Sequence, residues 1–360
     1  MLRLEPRPQA SRAMVYLSPL LALLLTLGSG FGIFVLLGVD AGAALHAFFI
    51  QPLSDSYGVS ELLVKAVPLV LIGVGLAVGF RANVWNIGAE GQLAMGALCA
   101  GGLAIWVPED SGAWVLPAML LLGGLGGMLW AAIPALLRTR FNANEILTSL
   151  MLSYVALLLL SYLVHGPWRD PEGFNFPESK LFAASATLPL LLEGTRLHIG
   201  LLLTLAAVLA IWLLLARTLI GFQVRVVGTS PRAAQFAGFR ERALIWFALL
   251  LSGGLAGLAG MIEVAGPIGQ LVPQVSPGYG FTAIIVAFVG RLHPLGVCAA
   301  GLLLALSYLG GENLQIVMGL PQAVTGVFQG MLLFYLLACD VLIQYRVRIG
   351  RPRLAGGGAQ

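Results

Sequence analysis

The sequence predicts an all-α, polytopic membrane protein with about ten transmembrane helices, and three observations carry that reading. Of 360 residues, 59% are hydrophobic and only 10% are charged, where a soluble domain carries roughly 25% charged residues. So little charge cannot cover a water-facing surface, and much of the solvent must be lipid. Glycine is abundant, at 46 residues, as suits helices whose backbones approach closely in a bilayer. Finally, ten mostly apolar runs follow one another along the chain, most of them near the roughly 20 residues that a span requires.

The first run, 14–37, follows Arg3, Arg7 and Arg12. It is longer than a signal-peptide core and lacks a small-residue cleavage site, so it reads as a retained helix. The next are 62–80, 87–107, 113–137, 145–164, 198–216 and 244–264. Two shorter runs, 276–290 and 295–311, precede the last, 321–343. Ala41 to Ile50 is apolar but too short to span, and suits the outer interface. Glycine pairs spaced by four (Gly28 with Gly32, Gly75 with Gly79, Gly123 with Gly127, Gly253 with Gly257) read as helix-packing positions.

Charge fixes the orientation expected. With the N-terminus inside, ten spans put 1–13, 81–86, 138–144, 217–243, 291–294 and 344–360 in the cytoplasm. These hold every basic residue except Lys65, Arg169, Lys180 and Arg196, as the positive-inside rule requires. The outer loops hold Asp40, Asp55, Glu61, Glu109, Asp110, Asp170, Glu172, Glu178, Glu193 and Glu312. The net charge of +4 thus reflects topology and not nucleic-acid binding. The chain reads as one transmembrane domain, 1–360, with a cytoplasmic N-terminus (1–13), an outer loop (165–197) ordered against the outer face, an inner loop (217–243) and a cytoplasmic tail (344–360). Five spans before and five after the outer loop make an inverted 5+5 pseudo-repeat. Each half has an interrupted region, about 80–92 and about 265–281, the usual pointer to a transport path.

The inner loop encodes a short capped helix. Ser230 suits the N-cap, Pro231 the first helical position, and Gly238 a left-handed terminator. Ala233 and Ala234 offer small side chains for close docking. The bland reading is a connecting loop without a partner.

Phe80 to Gln92 is the most unusual stretch, since Asn83, Asn86, Glu90 and Gln92 crowd between two apolar runs. Hydrocarbon leaves such groups unsatisfied at several kcal/mol each. Either the stretch is a cytoplasmic turn whose polar groups cap the next helix, or it is a discontinuous helix lining a solute path. In the second case Trp85 and Asn86 are the foremost contacts, with Asn83 and Gln92 beside them and Glu90 in support, binding free N–H groups at a helix start. Glu263 is a further acidic group near a span.

Some chemistry is excluded. Neither Lys65 nor Lys180 sits in a GxxxxGK[ST] phosphate loop. Cys99, Cys298 and Cys339, and His46, His165, His198 and His293, are scattered, with no metal-ligand spacing. No catalytic cluster assembles, so the chain reads as a non-enzyme.

Asn86-Ile-Gly-Ala-Glu-Gly-Gln92, Asn144 to Tyr154, Gly166-Pro-Trp-Arg-Asp-Pro171, Gly228 to Gly238 and Gly278 to Phe288 together resemble permeases of the branched-chain amino acid and simple-sugar type of ABC importer, in the nucleoside and simple-sugar branch. Ser153 stands where that pattern has Asn. The resemblance implies a vitamin-B12-permease-like fold (type II importer-like) in a bacterial inner membrane, both termini cytoplasmic. It implies a nucleoside or simple sugar as solute. It implies a related second permease in a heterodimer, an ATPase with two nucleotide-binding halves that holds the ATP and Mg, and an external binding lipoprotein. No cofactor is expected in this chain. Ser230, Pro231, Arg232, Ala233, Ala234, Phe236 and Gly238 would form the ATPase-coupling helix. A proton- or ion-coupled carrier using Glu90 or Glu263 is the alternative.

Overall fold

The computed structural model describes residues 2–7, 12–108, 110–321 and 323–349. Glu109, Arg351 and Arg353, and most of the tail 344–360, lie outside the described residues. In chain order the elements are β1 (Leu2–Pro6), α1 (Arg12–Leu36), α2 (Ala41–Phe49), α3 (Ser56–Arg81), α4 (Ala89–Trp106), α5 (Val115–Phe141) and α6 (Glu145–His165). After the outer loop come α7 (Gly200–Arg217), α8 (Leu219–Thr229), α9 (Pro231–Phe236) and α10 (Glu241–Glu263), the last extended by a π-helical turn, Val264–Ile268. The chain closes with α11 (Tyr279–Val289), α12 (Pro294–Met318), α13 (Ala323–Gln344) and β2 (Tyr345–Ile349).

Each of the ten apolar runs is occupied by a helix. Eight helices, α1, α3, α5, α6, α7, α10, α12 and α13, are long and apolar enough to cross a membrane. The other two differ for physical reasons: α4 carries Glu90 and Gln92 in its first turn, and α11, with 11 residues, is about 16 Å long at 1.5 Å per residue. Two boundaries move outward from the expected ones. α3 starts at Ser56 because Asp55 accepts from the Gly58 N–H at 2.7 Å, and Glu61 is neutralised by Arg196, whose Nε donates at 2.9 Å. α12 runs on to Met318 past Glu312 and Asn313, whose amide donates to the Ala47 carbonyl at 3.4 Å.

The chain forms two compact units, residues 52–309 and residues 1–51 with 310–360. In the second, α1 packs on α13, and Phe34, Phe48 and Phe328 stack at 5.3 and 4.9 Å between ring centres. α2 is held there by Asp40, which accepts from the N–H groups of Gly42 and Ala43. A short antiparallel ladder, Leu2 opposite Ile349 through Pro6 opposite Tyr345, is an element the sequence reading missed. It joins residues 2–6 to residues 345–349.

In the larger unit α10 lies against α3, α4 and α5. The contacts between α4, α5 and α10 are backbone on backbone. A Cβ added at Gly127 would fall 2.1 Å from the Gly253 carbonyl, and one at Gly257 would fall 2.2 Å from that of Gly123. One at Gly96 would fall 2.2 Å from the Gly257 carbonyl. Lipid tails are as apolar as leucine, so helices here gain from close van der Waals approach and not from hydrophobic exclusion. The loop between α6 and α7 lies along the end of this bundle. Ser179, Phe182 and Leu188 donate backbone N–H groups to Leu271, Gly269 and Ala265.

Gly28 and Gly32 share the spacing of the packed pairs, but a Cβ added at either would meet nothing within 4 Å. Gly127→Ala should therefore destabilise the detergent-solubilised protein by about 1–3 kcal/mol, seen as a lower melting temperature, whereas Gly28→Ala should melt as the parent does. Equal melting of the two variants would refute the backbone-contact account.

Candidate functional site

The segment between α3 and α4 is built from a sharp exit and a buried return. Val84 donates its N–H to the Gly79 carbonyl at 2.9 Å, and Asn83 takes the left-handed conformation, φ +57, which asparagine tolerates better than most residues. Asn83 is exposed and Trp85 half-buried. The Trp85 indole N–H donates to Asn83 Oδ1 at 3.0 Å, and its ring lies 5.1 Å from Phe80 and 5.7 Å from Phe288 of α11, centre to centre.

Asn86 and Gln92 are buried and bonded to each other twice. Asn86 Nδ2 donates to Gln92 Oε1 at 2.8 Å, and Gln92 Nε2 donates to Asn86 Oδ1 at 3.0 Å. Asn86 also donates to Ser252 Oγ on α10 at 2.8 Å and accepts from the Gly88 N–H at 3.1 Å. On the other side, Ser149 and Ser153 of α6 accept from the N–H groups of Ile87 (3.2 Å) and Gly91 (3.3 Å). A Cβ at Gly91 would fall 2.6 Å from Ser153 Cα, so a small residue at 153 lets α4 and α6 touch.

Glu90 supports a helix start, but that of another helix. Its carboxylate accepts from the Gly280 N–H at 2.6 Å, from the Phe281 N–H and from the Ser276 hydroxyl. Ser276 Oγ accepts in turn from the N–H groups of Gly278 (3.0 Å) and Tyr279 (2.8 Å). The free donors of the first turn of α11 are thus satisfied by two side chains, and an acidic group there is favoured by the helix dipole. Glu263, by contrast, ends α10 among the charges of Lys65 and Arg196.

The structure therefore brings Asn86, Glu90 and Gln92 together as internal cross-links, and leaves only Asn83 and Trp85 of the predicted group at the surface. Ser149, Ser252 and Ser276 escaped the sequence reading, which noted Ser153 without giving it a role. The four-residue spacing of Ser149 and Ser153 on an apolar helix was the one signal available, since it puts both hydroxyls on one face.

The inner loop folds as two helices. α8 is capped by Thr218, whose Oγ1 accepts from the Gly221 N–H at 3.1 Å, and its Gly228 abuts α3 so closely that a Cβ would fall 1.8 Å from the Arg81 carbonyl. α9 spans Pro231–Phe236, with Ser230 at its N-cap position. The Ser230 hydroxyl makes no capping bond, contrary to expectation; its carbonyl accepts from Ala234 instead. The end of α9 is as expected: Gly238 is left-handed, φ +74, and the Phe239 and Gly238 N–H groups bond the Ala234 and Gln235 carbonyls in a Schellman closure. Ala234 is buried in the chain itself, so the open face consists of Arg232, Ala233 and Phe236, which is 94% exposed. A groove of about 390 Å³ beside it is lined by Gln223, Phe239, Arg240 and Phe247 among others.

Residues 58–337 match a family described as the branched-chain amino acid transport system / permease component. The glucose ABC transporter permease protein TsgB13 of Haloferax volcanii is 38% identical, over 98% of this chain and 95% of its own. The guanosine ABC transporter permease protein NupP of Bacillus subtilis is 31% identical, over 95% of this chain and 97% of its own. A second guanosine permease of that organism, NupQ, is 26% identical, over 68% of this chain and 78% of its own.

Asn86→Ala should strip bonding partners from three buried groups, those of Gln92, Ser252 and Gly88, at about 1–3 kcal/mol of stability. Combined with Ser252→Ala in a double-mutant cycle, the two should couple by about 0.5–3 kcal/mol. Strict additivity of the melting shifts would show that the bond does not hold the loop to α10.

Proposed function

This chain belongs to the branched-chain amino acid transport system permease family, and on that premise we propose that it carries a nucleoside or simple sugar inward, delivered by an external binding protein and driven by a separate ATPase. The observation that carries the reading is the end-to-end match to permeases of glucose and guanosine transporters. The protein is a multi-pass membrane permease and not itself an enzyme.

Several features support the finer parts. The chain holds no GxxxxGK[ST] phosphate loop, so ATP and Mg belong to a partner. The paired guanosine permeases of one organism favour a related second permease. α9 is the docking element: Phe236 is an exposed aromatic flanked by Arg232, Arg240 and Arg242, an apolar anchor with a basic rim that fits an interface better than hydrocarbon. Arginine distribution puts this loop and both termini in the cytoplasm of the cell membrane. Closure of the ATPase halves would move α9, and through the seat of Gly228 on Arg81 would move the end of α3 beside Trp85. Asn83 and Trp85 then lie at the inner mouth, where the indole face can stack weakly on a base or a sugar ring.

Reconstitution with the second permease, ATPase and binding protein tests this. ATP should drive uptake of guanosine or glucose, and a proton ionophore should leave it intact; uptake that stops with ATP still present would favour the carrier alternative. An aromatic anchor is worth about 2 kcal/mol or more, so Phe236→Asp should weaken ATPase recruitment about 30-fold, with insertion unchanged. Unaltered recruitment would make the loop a connector. In intact cells a thiol at Leu181, 76% exposed, should react with an impermeant reagent and one at Thr229 should not; the reverse would overturn the orientation.

A further inference from the structure

The chain after the π-helical turn of α10 does not leave the bundle. It runs back along α4 as irregular chain, bending at Pro273, Val275, Pro277 and Gly278. A Cβ at Gly101 would fall 2.7 Å from Leu271, and one at Gly280 would fall 2.3 Å from the Glu90 backbone. The segment thus covers the stretch of α4 between residues 101 and 90, about 16 Å at 1.5 Å per residue, or about half the ~30 Å hydrocarbon core. Its two ends are tied down. Leu271 exchanges bonds with Ser179, its N–H donating to Oγ at 2.9 Å and its carbonyl accepting from the Ser179 N–H at 2.9 Å. Ser276 is anchored to Glu90 and to the first turn of α11.

Between these anchors the backbone is open. Among the described residues, the C=O groups from Val272 to Val275 and the N–H groups of Val272, Gln274 and Val275 have no hydrogen-bond partner, and Pro273 has no N–H to offer. Val275 and Ser276 face inward and are buried, while the Gln274 side chain is exposed. Unpaired backbone costs several kcal/mol per group in hydrocarbon, and non-helical chain at membrane depth persists only where it is covered by protein or lines water. The Gln274 amide, exposed on the same segment, is equally unsuited to lipid.

We propose that the irregular segment 272–277 is a wall of the solute path, with Gln274 and the open backbone groups as its polar contacts. Open backbone donors and acceptors match a solute rich in hydroxyl groups, and Gln274 adds two donors and an acceptor. The half-helix α11 below it is pinned by Glu90 and so holds the wall in place. The inference rests on the importer reading above, and it moves the principal contacts from the segment 83–92 to a stretch nearly 190 residues later.

Thiol accessibility decides it. In a variant with Cys99, Cys298 and Cys339 replaced by alanine, Gln274→Cys and Val272→Cys are placed singly and the full transporter is assembled in vesicles. A cationic methanethiosulfonate attacks only ionised thiols, which exist in water, so it should modify Gln274→Cys at least about tenfold faster than Leu158→Cys, an exposed position on the apolar face of α6. Modification should block uptake, and an excess of whichever of guanosine or glucose is transported should slow it. Reaction no faster than at Leu158→Cys, at both test positions, would show that lipid or the second permease covers the segment and overturn the proposal. So would modification that leaves uptake unchanged. Uptake by the unmodified cysteine-free transporter is measured in the same vesicles; its absence counts against the importer reading, not against the wall.

Discussion

Where α4 begins the chain is buried, so its peptide groups must find partners within the protein, and the structure of the larger unit follows from that constraint. Two helices start there, α4 and α11, and each exposes free N–H groups. The buried amide pair Asn86–Gln92, with Ser252, Ser149 and Ser153, satisfies the approach to α4. Glu90 and Ser276 satisfy α11. In a low-dielectric surrounding such bonds are strong and their loss is costly. The same few side chains therefore join α4, α6, α10 and α11 into one body.

Glycine makes that arrangement geometrically possible. Asn86 reaches Ser252 because α10 lies against α3 and α4, and α10 lies so close because Gly253, Gly257 and Gly260 oppose other backbones. A Cβ at Gly260 would fall 2.0 Å from the Leu93 carbonyl. Polar cross-links and small-residue contacts act together: the second sets the distance, the first sets the register.

The hub also connects the two faces of the unit. On one side Gly228 of α8 sits on the Arg81 carbonyl, and Arg81 Nε donates to the Leu292 carbonyl at 2.9 Å in the turn after α11. On the other side Leu271 meets the outer loop through Ser179. Gly228, Arg81 and Leu292 thus link α8 to the turn after α11, through one backbone contact and one side-chain hydrogen bond. That is a contiguous chain of contacts, of the physical kind that can carry energetic coupling.

The sequence by itself determined the membrane class, the ten apolar runs and the short helix α9 with its end at Gly238, since lipid imposes composition and a glycine terminator is local. The closure of α9 at Gly238 was readable because a left-handed turn selects glycine within a few residues. Spacing did not decide which glycines pack: Gly28 and Gly32 match Gly123 and Gly127 in pattern, yet only the latter face another backbone. Nor did it decide the role of the polar residues at 86–92. They were readable as misplaced in hydrocarbon, but Ser252 is 166 residues from Asn86 and Gly280 is 190 from Glu90. The same amides and carboxylate could have faced a solute. Only the tertiary structure decided that they bond to one another and to a distant helix start, because a hydrogen bond depends on where two atoms meet in space.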